Sequence, residues 1–209
     1  MEISVTEPTA IKRQVWNAGR TVGANVHSNQ TKFGNRFYLN QGRRLRDRAL
    51  FDLAIDSKLR GCDLVRMKIG DLVSGGQFRT RAIVMQQKTG RSVQFEILPD
   101  ARASLFAWLD RRGGTVDDYV FPSRIDHHGH LSTRQYARLV DEWGTAVGLM
   151  RSEYGTRSLR RTTASIIYRA TGNLRAVQIL LGHSKIENTV RYLGVDVEDA
   201  LALAENTEI

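Results

Sequence analysis

From residue 45 onward the chain switches between two hydrophobic periods. Leu45, Ala49, Leu50, Leu53 and Ala54 recur at helical spacing and lay down one apolar stripe. That pattern stops near Ser57-Lys58-Leu59, and a short second helix is expected over GCDLVRMK. The period then falls to two. QFRTRAIVMQQ (77–87) and SVQFEILP (92–99) predict strands joined through Lys88-Thr89-Gly90-Arg91 as a hairpin turn, with a weaker strand near 70–74. After Pro99 the helical period returns. It predicts helices over about 100–111, 132–148, 157–170, 174–181, 185–193 and 196–204, with a loop over 113–131. Residues 1–27 are polar and aperiodic and read as an extended arm; 29–40 could form a short helix. Helices dominate and a single small antiparallel sheet of two to three strands comes early. That is an α+β pattern, not βαβ alternation.

One stretch, LLGHSKIENTVRYLGV (180–195), raises a question of phase. In one continuous helix, nine steps of about 100° put His183 and Tyr192 on opposite faces. But Ser184-Lys185-Ile186-Glu187 reads as a capping box that starts a new helix at Ser184, and Gly182 sits where the previous helix ends. The break lets both side chains point into one site.

Composition alters the picture in one respect. At 41% hydrophobic and 25% charged the chain is ordinary for a globular domain, but its net charge of +9 is not. Excess Lys and Arg favours a polyanion, above all nucleic acid, over a small neutral substrate. The excess is uneven: residues 11–46 hold eight Lys/Arg and no acid, and residues 195–209 hold five acids and no Lys or Arg. Two different surfaces follow from that split. The single cysteine, Cys62, excludes an intrachain disulfide and suits a reducing cytoplasm. The N-terminus has no apolar signal-peptide core, no run has transmembrane length, and no internal repeat is visible.

The candidate chemistry is cationic. In GTRSLRRTTAS (155–165), Thr156 is the expected N-cap and Leu159, Thr163, Ile166 and Ile167 the inner face. Arg157 and Arg160 are three apart, near the start of a helix, a setting that suits a phosphate; a solvated basic face is the plainer reading. Arg60 ends an apolar helix, and Asp63 three residues on could orient it, or the two could be a structural ion pair. Lys88 at the hairpin tip is either a solvated turn lysine or a mobile proton donor. The HHGH run at 127–130 matches no standard metal-ligand spacing and lacks Cys or carboxylate ligands, so no metal is expected. Tyr38, Tyr119, Tyr136 and Tyr168 read as packing or surface residues.

Taken in order, these pieces resemble the catalytic domain of the tyrosine recombinases, or phage-type integrases, over about residues 43–204. LRGCDL resembles the first arginine box, with Arg60 and Asp63, and the hairpin with Lys88 resembles the mobile catalytic lysine. RSLRRT resembles the H-x-L-R-[HR]-T box, with Arg160. LGHSKIENTVRYL resembles the L-G-H-S-x-x-x-x-T-x-x-Y box, with His183 and Tyr192.

The resemblance implies an enzyme that cleaves double-stranded DNA without metal or cofactor. Tyr192 would attack the phosphodiester to give a 3′-phosphotyrosine, with Arg60, Arg160 and His183 on the phosphate, Lys88 as acid to the leaving 5′-oxygen and Asp63 as a brace. It further implies a homotetramer on paired sites, accessory DNA-bending proteins as possible partners, no membrane, and a cytoplasmic, nucleoid-associated protein. Two departures stand out. Only about 40 residues precede the matched region, a basic arm (1–42), as in short stand-alone recombinases; the acidic helix 196–204 and a tail (205–209) close the chain. And Arg157 replaces the box histidine. Guanidinium does not deprotonate in proteins, so Arg157 is expected to act by charge. Two other readings share the motifs: a DNA-binding regulator that has lost cleavage, and a topoisomerase IB-like strand-passing enzyme.

Overall fold

The computed structural model describes residues 44–150 and 154–194. The basic arm, the helix expected at 29–40 and the acidic helix expected at 196–204 lie outside the described residues. The first helix, α1 (Leu45–Ser57), is the hub of the fold. The apolar stripe read from the sequence is present, with Ala49, Leu50 and Leu53 fully buried, yet Asp47, Asp52 and Asp56 are buried as well. A helix covered on all sides keeps polar residues only if they are paired. Asp47 takes the Nε of Arg46 at 3.1 Å, Asp52 takes Arg48 at 2.5 Å, and Asp56 accepts the Leu98 amide at 2.8 Å.

Two one-turn helices follow, α2 (Gly61–Leu64) and α3 (Ile69–Leu72). Four strands then form two separate antiparallel ribbons. The ribbon of β1 (Val73–Ser74) and β2 (Gln77–Phe78) is two residues long. The longer pairs β3 (Arg81–Met85) with β4 (Ser92–Glu96), in register from Arg81 opposite Glu96 to Met85 opposite Ser92. The expected strand 77–87 is therefore broken: its first residues fold back on 73–74, and the chain turns at Arg79-Thr80 before β3. The remaining helices are α4 (Pro99–Arg112), α5 (Thr133–Ala146), α6 (Thr156–Thr171), α7 (Leu174–Leu181) and α8 (Ile186–Leu193). These match the expected spans to within two residues.

Two cap assignments shift. Thr156 is the first residue of α6 rather than its cap. Gly155 precedes it, and its amide donates to Ser158 Oγ at 3.2 Å. Helix α8 begins at Ile186 with Lys185 as N-cap, and no side chain caps it; Ser184 belongs to the bend. The joint itself is as read from the sequence, closed by Gly182 in the left-handed conformation at φ 64°.

The apolar interior has two parts. The larger runs from α1 through β4, α4 and α5 to Leu159. The smaller joins Ala164, Val177, Leu181 and Leu193, with Tyr192 packed against it. At about 1.5–3 kcal/mol per fully buried aliphatic side chain, the smaller cluster supplies only a modest hold on α8. The candidate site lies where the two parts meet.

Candidate active site

Residues from five separate segments line one cleft of about 450 Å³: Arg60, Lys88, Arg157, Arg160, His183 and Tyr192. Every cationic candidate and the phenol are thus brought together, although 132 residues separate Arg60 from Tyr192 along the chain (192 − 60).

Arg160 is the buried centre of the cluster, 6% exposed. Its Nε donates to the Lys58 carbonyl and its Nη2 to the Leu181 carbonyl, both at 2.6 Å. Two of its five N–H donors are thereby committed, which leaves the rest for a ligand. Burial, with the like charge of Arg60, pulls its pKa below the ordinary arginine value, against the raising influence of Tyr192 and Asp63. Arg60 is half-buried at the start of α2, and its Nη1 donates to Gln86 Oε1 at 2.5 Å.

Tyr192 stands edge-on to His183, ring centroids 5.4 Å apart. The Cζ of Arg160 lies 5.5 Å from the Tyr192 ring centroid and that of Arg161 6.0 Å away, a cation–π arrangement. The phenol donates to the Arg157 carbonyl at 3.4 Å. Burial raises the Tyr192 pKa, while Arg160, Arg161, Arg60 and Arg157, in falling order, oppose that rise. Tyr136 and Tyr154 are also raised by burial, with no arginine opposing. Electrostatics therefore singles out Tyr192 among the buried phenols.

His183 Nδ1 lies 3.1 Å from the buried hydroxyl of Thr189. Burial first, then Arg160 and Arg60, push the His183 pKa down to about 4, so the imidazole is neutral at pH 7. When the Thr189 hydroxyl is the donor in this pair, the ring proton sits on Nε2, available to an anion.

Asp63 departs from its expected place. It makes no bond to Arg60. Its Oδ1 accepts the Gln87 amide at 2.9 Å, and it lines a separate cavity of about 180 Å³. The physical reason is direction: Arg60 extends toward Gln86, while Asp63 inside α2 faces the next hairpin residue. Asp63 therefore braces the segment carrying Lys88. Arg157 is exposed and acts on Tyr192 more weakly than the other three arginines.

His130 donates from Nδ1 to the Leu131 carbonyl at 2.8 Å and accepts the Arg66 Nε at 3.1 Å, while His127 and His128 are exposed. Among the described residues no group of three or more His, Cys, Asp or Glu side chains could hold a metal ion. Tyr119 stacks edge-on to His130, and Tyr136 and Tyr168 are packing residues.

Four residues of the site escaped the sequence reading: Gln86, Arg161, Thr189 and Cys62. Thr189 was visible as the threonine of the last motif and Arg161 as the second arginine of RSLRRT. Gln86 and Cys62 gave no signal, because neither type is diagnostic in a strand end or a short helix.

Comparison with known proteins agrees with the geometry. The Phage integrase family matches residues 29–199. Tyrosine recombinase XerC of Xanthomonas campestris pv. campestris (strain B100) is 32% identical over 154 residues, 74% of this chain and 46% of that protein. The chain spans about half the length of the curated relatives it matches. Among solved structures, XerA recombinase superposes with TM-score 0.70 at 19% identity, covering 90% of this chain and 66% of that one. XerH recombinase on palindromic difH substrate, a post-cleavage complex, gives TM-score 0.69 at 19% identity, covering 93% of this chain and 55% of that one. At that identity the superpositions speak for a shared fold, and with the family match over most of its length the chain belongs to the phage integrase family.

Proposed function

We propose that this chain is a site-specific DNA recombinase that cleaves and rejoins strands through a covalent bond to Tyr192. The observation that carries the reading is the placement of that phenol against Arg160, inside a cleft that also holds Arg60, Lys88, Arg157 and His183. The net charge of +9 and the DNA-bound XerH relative of the same fold support DNA as the substrate.

The chemistry follows from the residue types. The phenolic oxygen attacks phosphorus in line, a Tyr–O–P bond forms and the P–O5′ bond breaks. Charge gathers on the two non-bridging oxygens, where Arg60 and the free donors of Arg160 bind them. His183 adds a neutral donor from Nε2. The leaving 5′-oxygen takes a proton from Lys88. The phosphodiester energy is kept in the tyrosyl ester, so a 5′-hydroxyl can reverse the step.

Ionising an ordinary tyrosine at pH 7 costs about 4 kcal/mol. Burial adds to that cost at Tyr192, and the four arginines offset part of it. Arg157 cannot take the proton, which goes to water or to the phosphate.

Assembly as a tetramer on paired sites, with accessory bending proteins, is the finer form of this proposal. The acidic stretch 195–209, opposite in charge to the rest of the chain, supports contact with a second copy. No helix among the described residues is long and apolar enough to cross a membrane, and a cytoplasmic, DNA-associated protein is the setting we propose.

The test begins with the Tyr192→Phe protein, used to select bound duplexes from a random pool. The recovered duplex, nicked beside the scissile phosphate, is then given to the unaltered protein. An adduct that survives detergent and is absent with Tyr192→Phe is expected. Binding without any adduct would instead make the chain a DNA-binding regulator, and relaxation of plasmids lacking the selected site would make it topoisomerase-like.

A further inference from the structure

We propose that Gln86 is a positioning residue that ties the phosphate clamp to the hairpin carrying Lys88; the inference rests on the strand-cleavage reading above. Gln86 is 1% exposed at the end of β3, and its amide serves three elements at once. Oε1 accepts Arg60 Nη1 at 2.5 Å and Thr89 Oγ1 at 2.8 Å. Nε2 donates to the Leu181 carbonyl at 3.2 Å. That same carbonyl accepts Arg160 Nη2. One neutral side chain therefore joins both clamp arginines, directly or through one shared oxygen, to the residue next to Lys88.

The main chain of Gln86 closes the turn as well. Its amide donates to the Arg91 carbonyl and its carbonyl accepts the Gly90 amide, both at 2.8 Å. Asp63 holds Gln87 from below. Lys88 is exposed and its side chain makes no hydrogen bond among the described residues, so its position is set entirely by these neighbours. Fixing a catalytic group through its neighbours is a rate effect, since a misplacement of about 1 Å can cost about a hundredfold.

The amide is matched to this task by its two halves. A carboxylate in its place would accept from Arg60 but could not donate to the Leu181 carbonyl. An apolar side chain would leave the buried Leu181 oxygen with one partner fewer and Thr89 with none. The space is shaped to it: a Cβ on Gly182 would lie 3.0 Å from Gln86 Nε2 and 3.1 Å from Oε1. Through these contacts a single buried side chain touches Arg60, the hairpin and the end of α7.

The decisive experiment compares two nicked duplexes of the selected sequence, one ordinary and one with sulfur bridging phosphorus to the 5′-carbon. On the second, the P–S bond breaks and the thiolate leaves without needing a proton, so a misplaced Lys88 no longer matters. Gln86→Ala and the surface variant Thr89→Val are expected to slow single-turnover cleavage of the ordinary duplex, about tenfold or more and about threefold respectively. Half-saturating DNA concentration should stay within about twofold. The sulfur duplex should recover the Thr89→Val rate fully and most of the Gln86→Ala rate, and Thr89→Ser, which restores the hydroxyl, should cleave the ordinary duplex at the parent rate.

In the free protein, amide exchange over residues 87–91 should quicken in Gln86→Ala and Thr89→Val. Equal losses on both duplexes, a loss confined to DNA affinity, or unchanged exchange overturns the role proposed for Gln86 while leaving the recombinase reading intact. Failure of the unaltered protein to form the adduct overturns both, and the exchange result then reports only a structural tie.

Discussion

Arg160 reaches back 102 residues to donate its Nε to the carbonyl of Lys58 at 2.6 Å. Lys58 is the C-cap of α1 and, among the described residues, the only non-glycine with positive φ, at 54°. That left-handed turn rotates its carbonyl away from the helix axis and toward the guanidinium. A Cβ there costs about 1–2 kcal/mol, a strain held in place by the bond to a buried cation.

Lys58→Gly should therefore relieve strain at the cap. Part of the gain is lost to greater freedom of the unfolded chain, so the expected net stabilisation is below about 1 kcal/mol, with cleavage within about twofold of the parent protein. Lys58→Val, β-branched in a left-handed turn, should lower both stability and cleavage as the Arg160 anchor shifts. Urea denaturation and single-turnover cleavage measure the two effects. A glycine variant less stable than the parent by more than about 1 kcal/mol would contradict the strained-cap account.

The Tyr192 pKa lies above the ordinary phenol value, so at neutral pH the reactive anion is a minor form. Its population grows by a factor of up to about ten per pH unit below that pKa. Cleavage by the parent protein should rise from pH 6 to pH 9 wherever chemistry is rate-limiting. Arg157→His should be tolerated, because Arg157 is exposed and acts on the phenol less than the other three arginines. A neutral imidazole there adds a proton acceptor, so its pH dependence should flatten. A flat profile in the parent protein would remove the electrostatic role assigned to the arginines.

Much of this is legible in the sequence alone. The period change at residue 77 and the return to helix at Pro99 placed the elements, because each period reflects which face meets the core. The Gly182 break placed His183 beside Tyr192, and the motif order placed Arg60, Lys88 and Arg160. What stayed hidden depends on direction. Asp63 lies three residues beyond Arg60, and spacing alone suggested a pair. Only the orientation of α2 shows the carboxylate turned to Gln87 and the guanidinium to Gln86. The broken strand was hidden for a similar reason: alternation runs through Arg79-Thr80, while pairing to residues 73–74 depends on a tertiary turn.

Gly182 ends α7 at φ 64°, and an added Cβ would stand 2.5 Å from Val93 Cγ2. The backbone is in the left-handed region and the neighbour is a stiff β-branched side chain against the hairpin. Gly182→Ala should therefore cost more than the ~1 kcal/mol typical of such a turn, because either α7 or β4 must move. Cleavage should fall further than stability, since the displaced groups include the Leu181 carbonyl that anchors Arg160. Thermal denaturation beside single-turnover cleavage tests this. A variant that keeps full activity would mean the α7 terminus has slack that the packing does not show.

His183 and Thr189 give the last prediction. Burial and two arginines hold the histidine pKa at about 4, below its ordinary 6.5. Because the folded value is the lower one, the unfolded chain binds this proton more readily between those limits. The contribution of neutral His183 to stability is therefore complete above about pH 6.5 and is lost as pH falls toward 4. In the free protein, the ring resonance absent from His183→Gln should titrate with a midpoint near 4 rather than 6.5. Thr189→Val is nearly isosteric but leaves Nδ1 without its partner, so the ring can turn or change tautomer. Cleavage should drop on the order of tenfold with DNA binding retained, and Thr189→Ser should restore it. A midpoint near 6.5 would make His183 a cation for part of the physiological range and a charged, not neutral, donor to the phosphate, and the part assigned to Thr189 would then fall with it.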